Sequence, residues 1–348
     1  MNKLFNDKKV FFIADIAANH DGSLSRAKKL IKLAAKAGAD AAKFQHFKAD
    51  TIVSNAGFKK IGKISHQKKW RKSVFQIYED ASINPKWNLE LLNECKKNKI
   101  EFMTAPYDLD YVDDVYKFIS AYKIGSGDIT WKEIVKKISK KNKPLILATG
   151  ASTIKDVVNT VRLILKYKTK FVLMQCNTNY TASNENYGYI NLNVLNDYKK
   201  RFKDKIVLGL SDHTFGHTTV LGAVSLGARV IEKHFTDDNT RNGPDHKFSM
   251  NPTTWREMVD ETEKLIQSLG NGKKKIEKNE LQSSIIQRRG VRFNQDLSKG
   301  RKITRKMLEI LRPCPRNSIN PFFLEKFLGK KLKKNVKKND IFTIKCVI

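Results

Sequence analysis

The feature that most constrains the fold is an alternation of short apolar runs with amphipathic segments through residues 1–270. Most of the runs are separated by segments with apolar residues at three- and four-residue spacings. The eight runs are 10–16, 41–45, 101–104, 121–124, 145–149, 171–176, 206–211 and 230–235. Strands that alternate with helices pair in parallel through right-handed crossovers. This pattern predicts an α/β fold, a (β/α)8 TIM barrel, with a doubly wound open sheet as the alternative.

The start of the chain, MNKLFNDKKVFFIAD, predicts a first buried strand rather than a signal peptide, because its apolar run is short and ends at Asp15. No apolar run reaches the roughly 18 to 20 residues that a membrane helix requires, so we expect no membrane association. The cysteines, Cys95, Cys176, Cys314 and Cys346, form no CxxC pair and fit no zinc-binding spacing. We therefore expect a cytoplasmic protein with reduced thiols.

The chain is strongly basic, with 67 lysine and arginine residues, 35 acidic residues and a formal net charge of +32. Lysine supplies most of the excess, whereas bidentate phosphate and base contacts favour arginine. The sequence has no compact arginine stripe and no interleaved aromatic residues of the kind that single-strand binders use. We expect a solvated surface that attracts anionic substrates, and no nucleic-acid partner.

Two segments depart from the alternation and define the domain organisation. Residues 46–85 separate the second run from the next clear helix, and so long a connection is usually functional. Residues 270–280 are polar and punctuated by glycine, which is typical of a linker. The remaining sequence shows short strand patterns with turns at Lys299-Gly300 and Asn339-Asp340. We predict a barrel domain of residues 1–270, a linker of residues 271–287 and a small β-rich domain of residues 288–348.

Polar side chains follow seven of the eight predicted strands at their carboxyl ends, the active face of a TIM barrel. One polar strand end carries little information, but the repetition predicts a single shared site. The strand-end residues are Asp15, Lys43, Gln45, Thr104, Lys123, Thr149, Ser211, His213, Glu232 and His234.

Two of these residues, His213 and His234, occupy matched positions at the ends of the seventh and eighth strands, which are neighbours in a barrel. Side chains alternate along a strand, so His213 shares a face with Ser211, and His234 shares one with Glu232. Two imidazoles with open coordination positions suit a Mn²⁺-, Zn²⁺- or Fe²⁺-like catalytic ion. Two structural, hydrogen-bonded histidines are the alternative.

Two lysines, Lys43 and Lys123, lie near the ends of buried strands and need an anionic partner or a lowered pKa. One reading is a Schiff-base lysine of an aldolase. The neighbouring Gly125-Ser126-Gly127 and Thr149-Gly150-Ala151-Ser152 loops favour a phosphate site instead, because glycine lets backbone amides approach a ligand and a helix N-terminus attracts anions.

Taken in order, the motifs resemble those of the sialic acid synthase family. They are IADIAANHDGS (13–23), GADAAKFQ (38–45), YKIGSGDIT (122–130), LATGAS (147–152), GLSDHT (209–214), EKHFT (232–236) and GPDHKFS (243–249). The C-terminal segment, with DLSKGRKIT (296–304) and FLGKKLKKNVKKNDIFT (327–343), is similar to that family's antifreeze-like SAF domain.

The resemblance implies a metal-dependent synthase that condenses phosphoenolpyruvate with an N-acetylated aldose such as N-acetylmannosamine. Water is consumed, the C–O bond of the phosphate ester breaks, and a nine-carbon 2-keto sugar acid and phosphate form. The resemblance also implies a domain-swapped homodimer in which the SAF domain of one chain covers the partner's barrel.

The resemblance assigns roles to individual residues. Phosphoenolpyruvate would be bound by Lys43, Lys123, Ser126, Ser152 and Ser211. Mn²⁺ or Mg²⁺ would be held by His213 and His234. The sugar would face Gln45, Asp128, Tyr180, Asp245 and, from the other chain, Arg312. Residues expected to act in the reaction are Asp15, Lys43, Lys123, His234 and Asp245.

Several positions differ from the family pattern, and they are mainly positions expected on the sugar side of the site. Asp15 and Asp128 stand where glutamate is usual, and an alanine follows Ile16 where glycine is usual. These changes indicate the same reaction on a different or bulkier sugar, with N-acetylmannosamine, its 6-phosphate or a diacetamido-trideoxy hexose as candidates. The alternatives are a legionaminic or pseudaminic acid synthase and, from another class, a catalytically degenerate basic protein that binds nucleic acid.

Overall fold

The computed structural model describes residues 4–5, 9–64, 67–68, 70–167 and 170–348, which divide into two compact units, Met1–Gly270 and Asn271–Ile348. In the first unit, eight parallel strands form a closed barrel in sequence order, with β8 pairing back onto β1. The predicted TIM barrel is therefore confirmed, and the open sheet is excluded. The strands are β1 Phe11–Asp15, β2 Ala41–His46, β3 Glu101–Pro106, β4 Tyr122–Ile124, β5 Leu145–Ala148, β6 Phe171–Cys176, β7 Ile206–Asp212 and β8 Val230–His234.

The helices surround the barrel, and several of them begin at a capping side chain. The Ser23 hydroxyl accepts from the Arg26 amide at the start of α1, and Thr153 forms a capping box with Asp156 at the start of α8. Gly38 ends α1 at a φ of 100°, a conformation that glycine adopts without strain. The helices of this unit are α1 Leu24–Ala37, α2 Ala49–Ile52, α3 Asn55–Ile61, α4 Val74–Ala81, α5 Asn88–Lys97, α6 Leu109–Asp114, α7 Lys132–Ser139, α8 Ile154–Leu165, α9 Val194–Phe202, α10 Thr218–Ser225 and α11 Pro252–Leu269.

Both faces of the barrel strands are buried, because side chains point alternately to the helices and to the barrel interior. One apolar cluster lies between strands and helices and includes Phe44, Tyr122 and Trp255. A second cluster fills the lower interior and includes Ile13, Ile146 and Val172. The apolar interior ends near the carboxyl ends of the strands, where the polar strand-end residues begin.

The connection after β2 differs from the prediction of a long segment without a clear helix. It contains α2, α3 and α4, and Ser54 and Ser73 cap the latter two. Short helices with few periodic apolar residues are difficult to recognise in sequence. We call residues 47–81 the β2 insertion.

The second unit is small and has its own core. After the 3-10 helix Lys278–Glu280, α12 (Leu281–Ile286) lies within the predicted linker of residues 271–287. The antiparallel strands β9 (Gly290–Phe293) and β10 (Leu308–Leu311) and several isolated bridges enclose an apolar cluster around Phe293 and Phe342. Gly300 and Asn339 have φ values of 86° and 72°, which places turns where the sequence predicts them. In the described part of the chain, no helix is both long and apolar enough to cross a membrane.

Candidate active site

A cluster of four charged side chains lies inside the barrel at the carboxyl ends of β1, β2, β4 and β8. Lys43 Nζ donates to Asp15 Oδ2 at 2.6 Å and lies 3.6 Å from Glu232 Oε2. Lys123 Nζ donates to Glu232 Oε1 at 2.9 Å, and the Ser211 hydroxyl donates to the same oxygen at 3.0 Å. The strand register produces this arrangement, because Asp15 pairs with Lys43 and Ser211 pairs with Glu232.

Partners of opposite sign stabilise the charged forms of Glu232 and Lys43. Burial opposes ionisation of Glu232, but Lys123 and Lys43 outweigh it and lower the carboxyl pKa to about 2. Burial likewise opposes the charge of Lys43, and Asp15 and Glu232 reverse the effect, so the Lys43 pKa is raised. Lys43 is therefore held as an ammonium group at neutral pH.

The two predicted metal-binding histidines lie together beside this cluster. The ring centroids of His213 and His234 are 5.3 Å apart, and the rings of Tyr180 and Phe248 pack against both. The His213 Nδ1 atom hydrogen-bonds the Asn177 carbonyl oxygen at 3.0 Å, and the ring also contacts the Cys176 thiol.

The surroundings of the two histidines shift their pKa values in opposite directions. Burial lowers the pKa of His234 despite the nearby carboxylates of Asp15 and Asp245. Burial also lowers the pKa of His213, but contact with the Cys176 thiol more than offsets this effect. The buried His234 Nδ1 has no hydrogen-bond partner within the described chain, and it lies 3.9 Å from Asp245 Oδ2. An unpaired buried nitrogen facing a second imidazole and a carboxylate fits a cation ligand.

The metal-binding set from the protein itself would be small. Among the described residues, no group of three or more histidine, cysteine, aspartate or glutamate side chains has the arrangement of a metal site.

The two glycine-containing loops after β4 and β5 meet at the same end of the barrel. The Gly150 amide donates to the Ser126 hydroxyl at 3.0 Å, and the Ser152 hydroxyl donates to the Gly150 carbonyl at 3.0 Å. A β-carbon on Gly150 would lie 1.9 Å from Thr178 Oγ1, so only glycine fits this approach. The Cys176 thiol contacts both Ser126 and His213 and so connects the loops to the histidine pair.

A cavity of about 440 Å³ opens above these groups. The predicted sugar-binding residues Gln45, Asp128, Tyr180 and Asp245 all line it, together with His234. The Ala18 backbone amide donates to Asp245 Oδ2 at 3.2 Å, and the Gln45 side-chain Nε2 donates to Asp15 Oδ2 at 3.3 Å. A cavity of this size with a few convergent polar groups is typical of a small-molecule site.

Burial changes the pKa values of a carboxyl group and of several phenols in the cavity wall. Burial raises the pKa of Asp128 to about 6, so this carboxyl titrates close to physiological pH. Burial also raises the pKa values of the Tyr78, Tyr107 and Tyr180 phenols, which remain neutral hydrogen-bonding groups. The wall thus offers hydroxyl and carboxyl groups of the kind that bind sugar hydroxyls and amides.

Comparison with known proteins agrees with this geometry. Residues 30–274 match the NeuB family. The chain belongs to the NeuB family. It is 36% identical over 341 residues to the N,N'-diacetyllegionaminic acid synthase of Campylobacter jejuni, covering 96% of this chain and 99% of the relative. It is 32% identical over 337 residues to the pseudaminic acid synthase of the same organism, covering 96% of this chain and 95% of the relative.

A solved structure gives the same result for the fold. The crystal structure of an N-acetylneuraminic acid synthetase from Leptospira borgpetersenii superposes with a TM-score of 0.69 at 29% identity. The match covers 80% of this chain and 91% of that chain. The resemblance to sialic acid synthases is thereby confirmed, while the assignment of the second unit as an SAF domain remains a prediction.

Thr104, a predicted strand-end residue, lies outside the site of this NeuB protein. Thr104 faces the helices, where its hydroxyl contacts His46 Nδ1 at 2.7 Å. Arg312 belongs to the second unit, where its Nε donates to the Gln287 carbonyl at 2.6 Å. The sugar-contacting role of Arg312 stays a prediction.

Two residues of the site received no role from sequence reasoning, although Glu232 was among the predicted strand-end residues. Glu232 bridges both lysines, and the need of two buried lysines for a carboxylate near His234 would have been a signal for it. Tyr107 lines the cavity after β3, with its hydroxyl 2.7 Å from the position of a β-carbon on Gly125. No sequence periodicity marks Tyr107, because it follows the end of its strand.

Proposed function

We propose that this NeuB-family protein is a nonulosonic acid synthase. It condenses phosphoenolpyruvate with the aldehyde of an N-acetylated amino sugar, consumes water, and releases phosphate and a nine-carbon 2-keto acid. The observation that carries the proposal is the proximity of the Lys43–Lys123 pair to the His213–His234 pair, since Asp15 Oδ2 lies 2.6 Å from Lys43 Nζ and 3.7 Å from His234 Nε2. His234 also lines the cavity. The family relationship supports the same reaction.

Phosphoenolpyruvate would be bound by the lysine pair with Ser126, Ser152 and Ser211. The two lysines are already balanced by Asp15 and Glu232, so their formal charges cancel. A ligand with both a phosphate and a carboxylate would then leave a net negative charge in a buried site, which is costly. A further cation would offset this charge, which is an argument for metal dependence that does not use the family resemblance.

Mn²⁺ or Mg²⁺ would be held by His213 and His234. When bound, such an ion polarises the carbonyl oxygen of the sugar aldehyde as a Lewis acid. The imidazole nitrogens favour Mn²⁺ over Mg²⁺, because Mg²⁺ prefers oxygen ligands.

The chain's own residues would orient the reactants and stabilise charge. Lys43 and Lys123 fix the enol phosphate so that its C3 carbon attacks the aldehyde carbon. Positive charge then develops at C2, close to the carboxylates of Asp15 and Glu232. Water adds at C2, and the tetrahedral adduct loses phosphate when the bond between C2 and the phosphate-ester oxygen breaks.

Asp245 and Asp15 flank His234 and could accept the proton that this water gives up. Gln45, Asp128, Tyr180 and Asp245 would hold the sugar. These four side chains share the cavity wall, which supports the assignment.

The same proposal extends to the assembly. We propose that the second unit is an SAF domain, that two chains form a domain-swapped homodimer in the cytoplasm, and that Arg312 of one chain contacts the sugar in the other. The exposed position of Arg312 supports this role, since its guanidinium is accessible to a partner.

A Schiff-base aldolase is the weaker alternative. A nucleophilic lysine must lose its proton, but Asp15 and Glu232 raise the Lys43 pKa and so oppose this.

The test is phosphate release from phosphoenolpyruvate with a panel of N-acetylated hexosamines, in the presence of EDTA or of added Mn²⁺. We expect release that requires both the sugar and the metal. His213→Ala and His234→Ala should abolish release while the circular dichroism spectrum is unchanged. Full turnover in EDTA, or normal turnover in both variants, would contradict the metal assignment.

A further inference from the structure

A buried polar cluster lies behind β7 and β8, on the side of these strands that faces the helices. Side chains alternate along a strand, so Asp212 and Lys233 point outward where the adjacent His213 and His234 point into the barrel. The strand register pairs Asp212 with Lys233, and their side chains form a buried ion pair. Both residues belong to the described part of the chain, and both lie outside the lining of the cavity.

The Asp212 carboxylate closes a turn around His213. Its Oδ1 atom accepts from the Thr214 backbone amide at 3.2 Å and from the Thr214 hydroxyl at 3.0 Å. Its Oδ2 atom accepts from the hydroxyl of Thr219, near the start of α10, at 2.7 Å. Since His213 lies between Asp212 and Thr214, one carboxylate fixes the backbone on both sides of this imidazole.

Lys233 connects this turn to β8. Its Nζ atom donates to the Thr214 carbonyl oxygen at 2.7 Å and also to Asp212 Oδ2. Lys233 directly precedes His234, so one side chain links the backbone that carries the first imidazole to the backbone that carries the second. Asp212, Thr214 and Lys233 are at most 2% exposed, so water does not compete for these contacts.

Stability alone is a weak reason for a buried ion pair at this place. Two charges lose favourable hydration when they are buried, and an apolar pair of similar volume is often as stable or more stable. Geometry is a stronger reason, because a cation needs its two imidazole ligands at a set separation. Residues behind metal ligands commonly hold that separation, and changing them weakens metal binding.

We propose that Asp212 and Lys233 are positioning residues that set the separation of His213 and His234 for a divalent cation. This role rests on the proposed function, which assigns the cation to the histidine pair. Thr219 contributes through its hydrogen bond to Asp212. All three side chains act through the backbone of the two histidines, since they lie behind the strands and away from the cavity.

The test measures Mn²⁺ binding to the metal-free protein, with electron paramagnetic resonance of the unbound ion as the signal. Binding that His213→Ala abolishes defines the histidine site. The double variant Asp212→Asn/Lys233→Met removes both charges together, so neither remains unpaired in the interior. Its Kd for Mn²⁺ at this site should rise about tenfold or more. An unchanged Kd in a folded double variant would overturn the inference, because a role in stability alone leaves the affinity of the folded protein as it was.

A matched control makes the same two substitutions at an ion pair on the outside of the barrel. Asp113 in α6 and Lys137 in α7 lie 2.7 Å apart, and their side chains are 52% and 33% exposed. Asp113→Asn/Lys137→Met should therefore leave the Kd for Mn²⁺ unchanged. An equal loss of affinity in this control would assign the effect to net charge and would also overturn the inference.

A single-residue comparison covers the case in which the double variant does not fold. Thr219→Val keeps the shape of the side chain but removes the hydroxyl that donates to Asp212, and it should raise the Kd about threefold. Thr219→Ser keeps the hydroxyl and should bind Mn²⁺ like wild type. If both Thr219 variants bind Mn²⁺ as tightly as wild type, the positioning role is wrong.

The proposed function and the positioning role fail in different ways. If the wild-type protein binds no Mn²⁺ at a site that depends on His213, the metal assignment is wrong, and the positioning role falls with it. If wild type binds Mn²⁺ at that site and the Asp212→Asn/Lys233→Met protein binds it equally well, the metal assignment stands and the positioning role is wrong.

Discussion

Replacing Glu232 with glutamine keeps the shape of the side chain and removes the carboxylate that bridges Lys43 and Lys123. The folded protein lowers the Glu232 pKa from 4.5 to about 2. At about 1.4 kcal/mol for each pKa unit, the ionised carboxylate contributes about 3 kcal/mol to stability. Removing one partner of a buried ion pair costs about 3 to 5 kcal/mol, which agrees.

Fluorescence during urea unfolding measures this loss in the barrel alone. The four tryptophans, Trp70, Trp87, Trp131 and Trp255, all lie in the first unit, so their emission does not report the second unit. With a slope of about 3 kcal/mol per molar urea, Glu232→Gln should lower the midpoint by about 1 M at pH 7. The exposed Glu133→Gln is the matched control and should change stability by less than about 0.5 kcal/mol.

The pH dependence follows from the sign of the shift. A lowered pKa stabilises the fold above the unfolded value of 4.5, and this stability is lost as the pH falls toward about 2. The difference between wild type and Glu232→Gln should therefore persist from pH 7 to about pH 4.5 and shrink below it. Millimolar phosphate should restore the variant more than wild type, because an anion can bind the released ammonium groups. Equal stability of the two proteins at pH 7, or a difference that is the same at pH 3 and pH 7, would refute the reasoning.

Three further predictions concern the cavity and the loop after β5. Burial raises the Asp128 pKa from 3.8 to about 6, so ionisation of this carboxyl lowers the stability of the fold as the pH rises through about 6. In urea unfolding, Asp128→Asn should therefore be about 1 to 2 kcal/mol more stable than wild type at pH 8, a value that allows for partial exposure of the side chain. Below pH 4 the two proteins should be equally stable. Gly150→Ala should raise the KM for phosphoenolpyruvate at least about tenfold, because its β-carbon collides with Thr178 and approaches Ser126 Oγ to 2.9 Å; an unchanged KM would exclude this loop from the site. The neighbouring Ala151 has a φ of 52° and is exposed, so Ala151→Gly should instead stabilise the protein by about 0.5 to 1 kcal/mol in thermal unfolding, and a loss of stability would contradict the assigned strain.

The barrel could be predicted because each unit carries its own local signal. The apolar runs predict the strands, and in the structure Ser23 and Thr153 cap the helices that follow two of them. The β2 insertion has capping residues too, Ser54 and Ser73, but it lacks a long apolar repeat. Its helices are short, so their apolar periodicity is too brief to recognise. Ile52 and Ile77 of these helices line the cavity, but in sequence they resemble ordinary surface or core residues.

The residues of the candidate site also differ in whether a local sequence pattern predicts them. A period-two pattern places Lys43, Ser211 and His234 inside the barrel, and the fold then brings them together without further information. The partners of Lys123 and the role of Tyr107 depend on strand register and loop conformation, which no local pattern encodes.

Substitutions on the barrel strands and substitutions in the β2 insertion should differ in their cost to stability. Lys43, Lys123 and Ser211, which would bind phosphoenolpyruvate, lie on strands whose register is fixed on both faces by the core. A substitution among these buried groups disturbs the barrel, as in Glu232→Gln. The β2 insertion packs around its own small contacts, such as Phe47 with Tyr78, and its residues can change at lower cost in stability. Comparing the urea midpoints of Ile77→Thr and Glu232→Gln tests this, and a larger loss in Ile77→Thr would show that the insertion is as tightly coupled to the barrel core as the strands are.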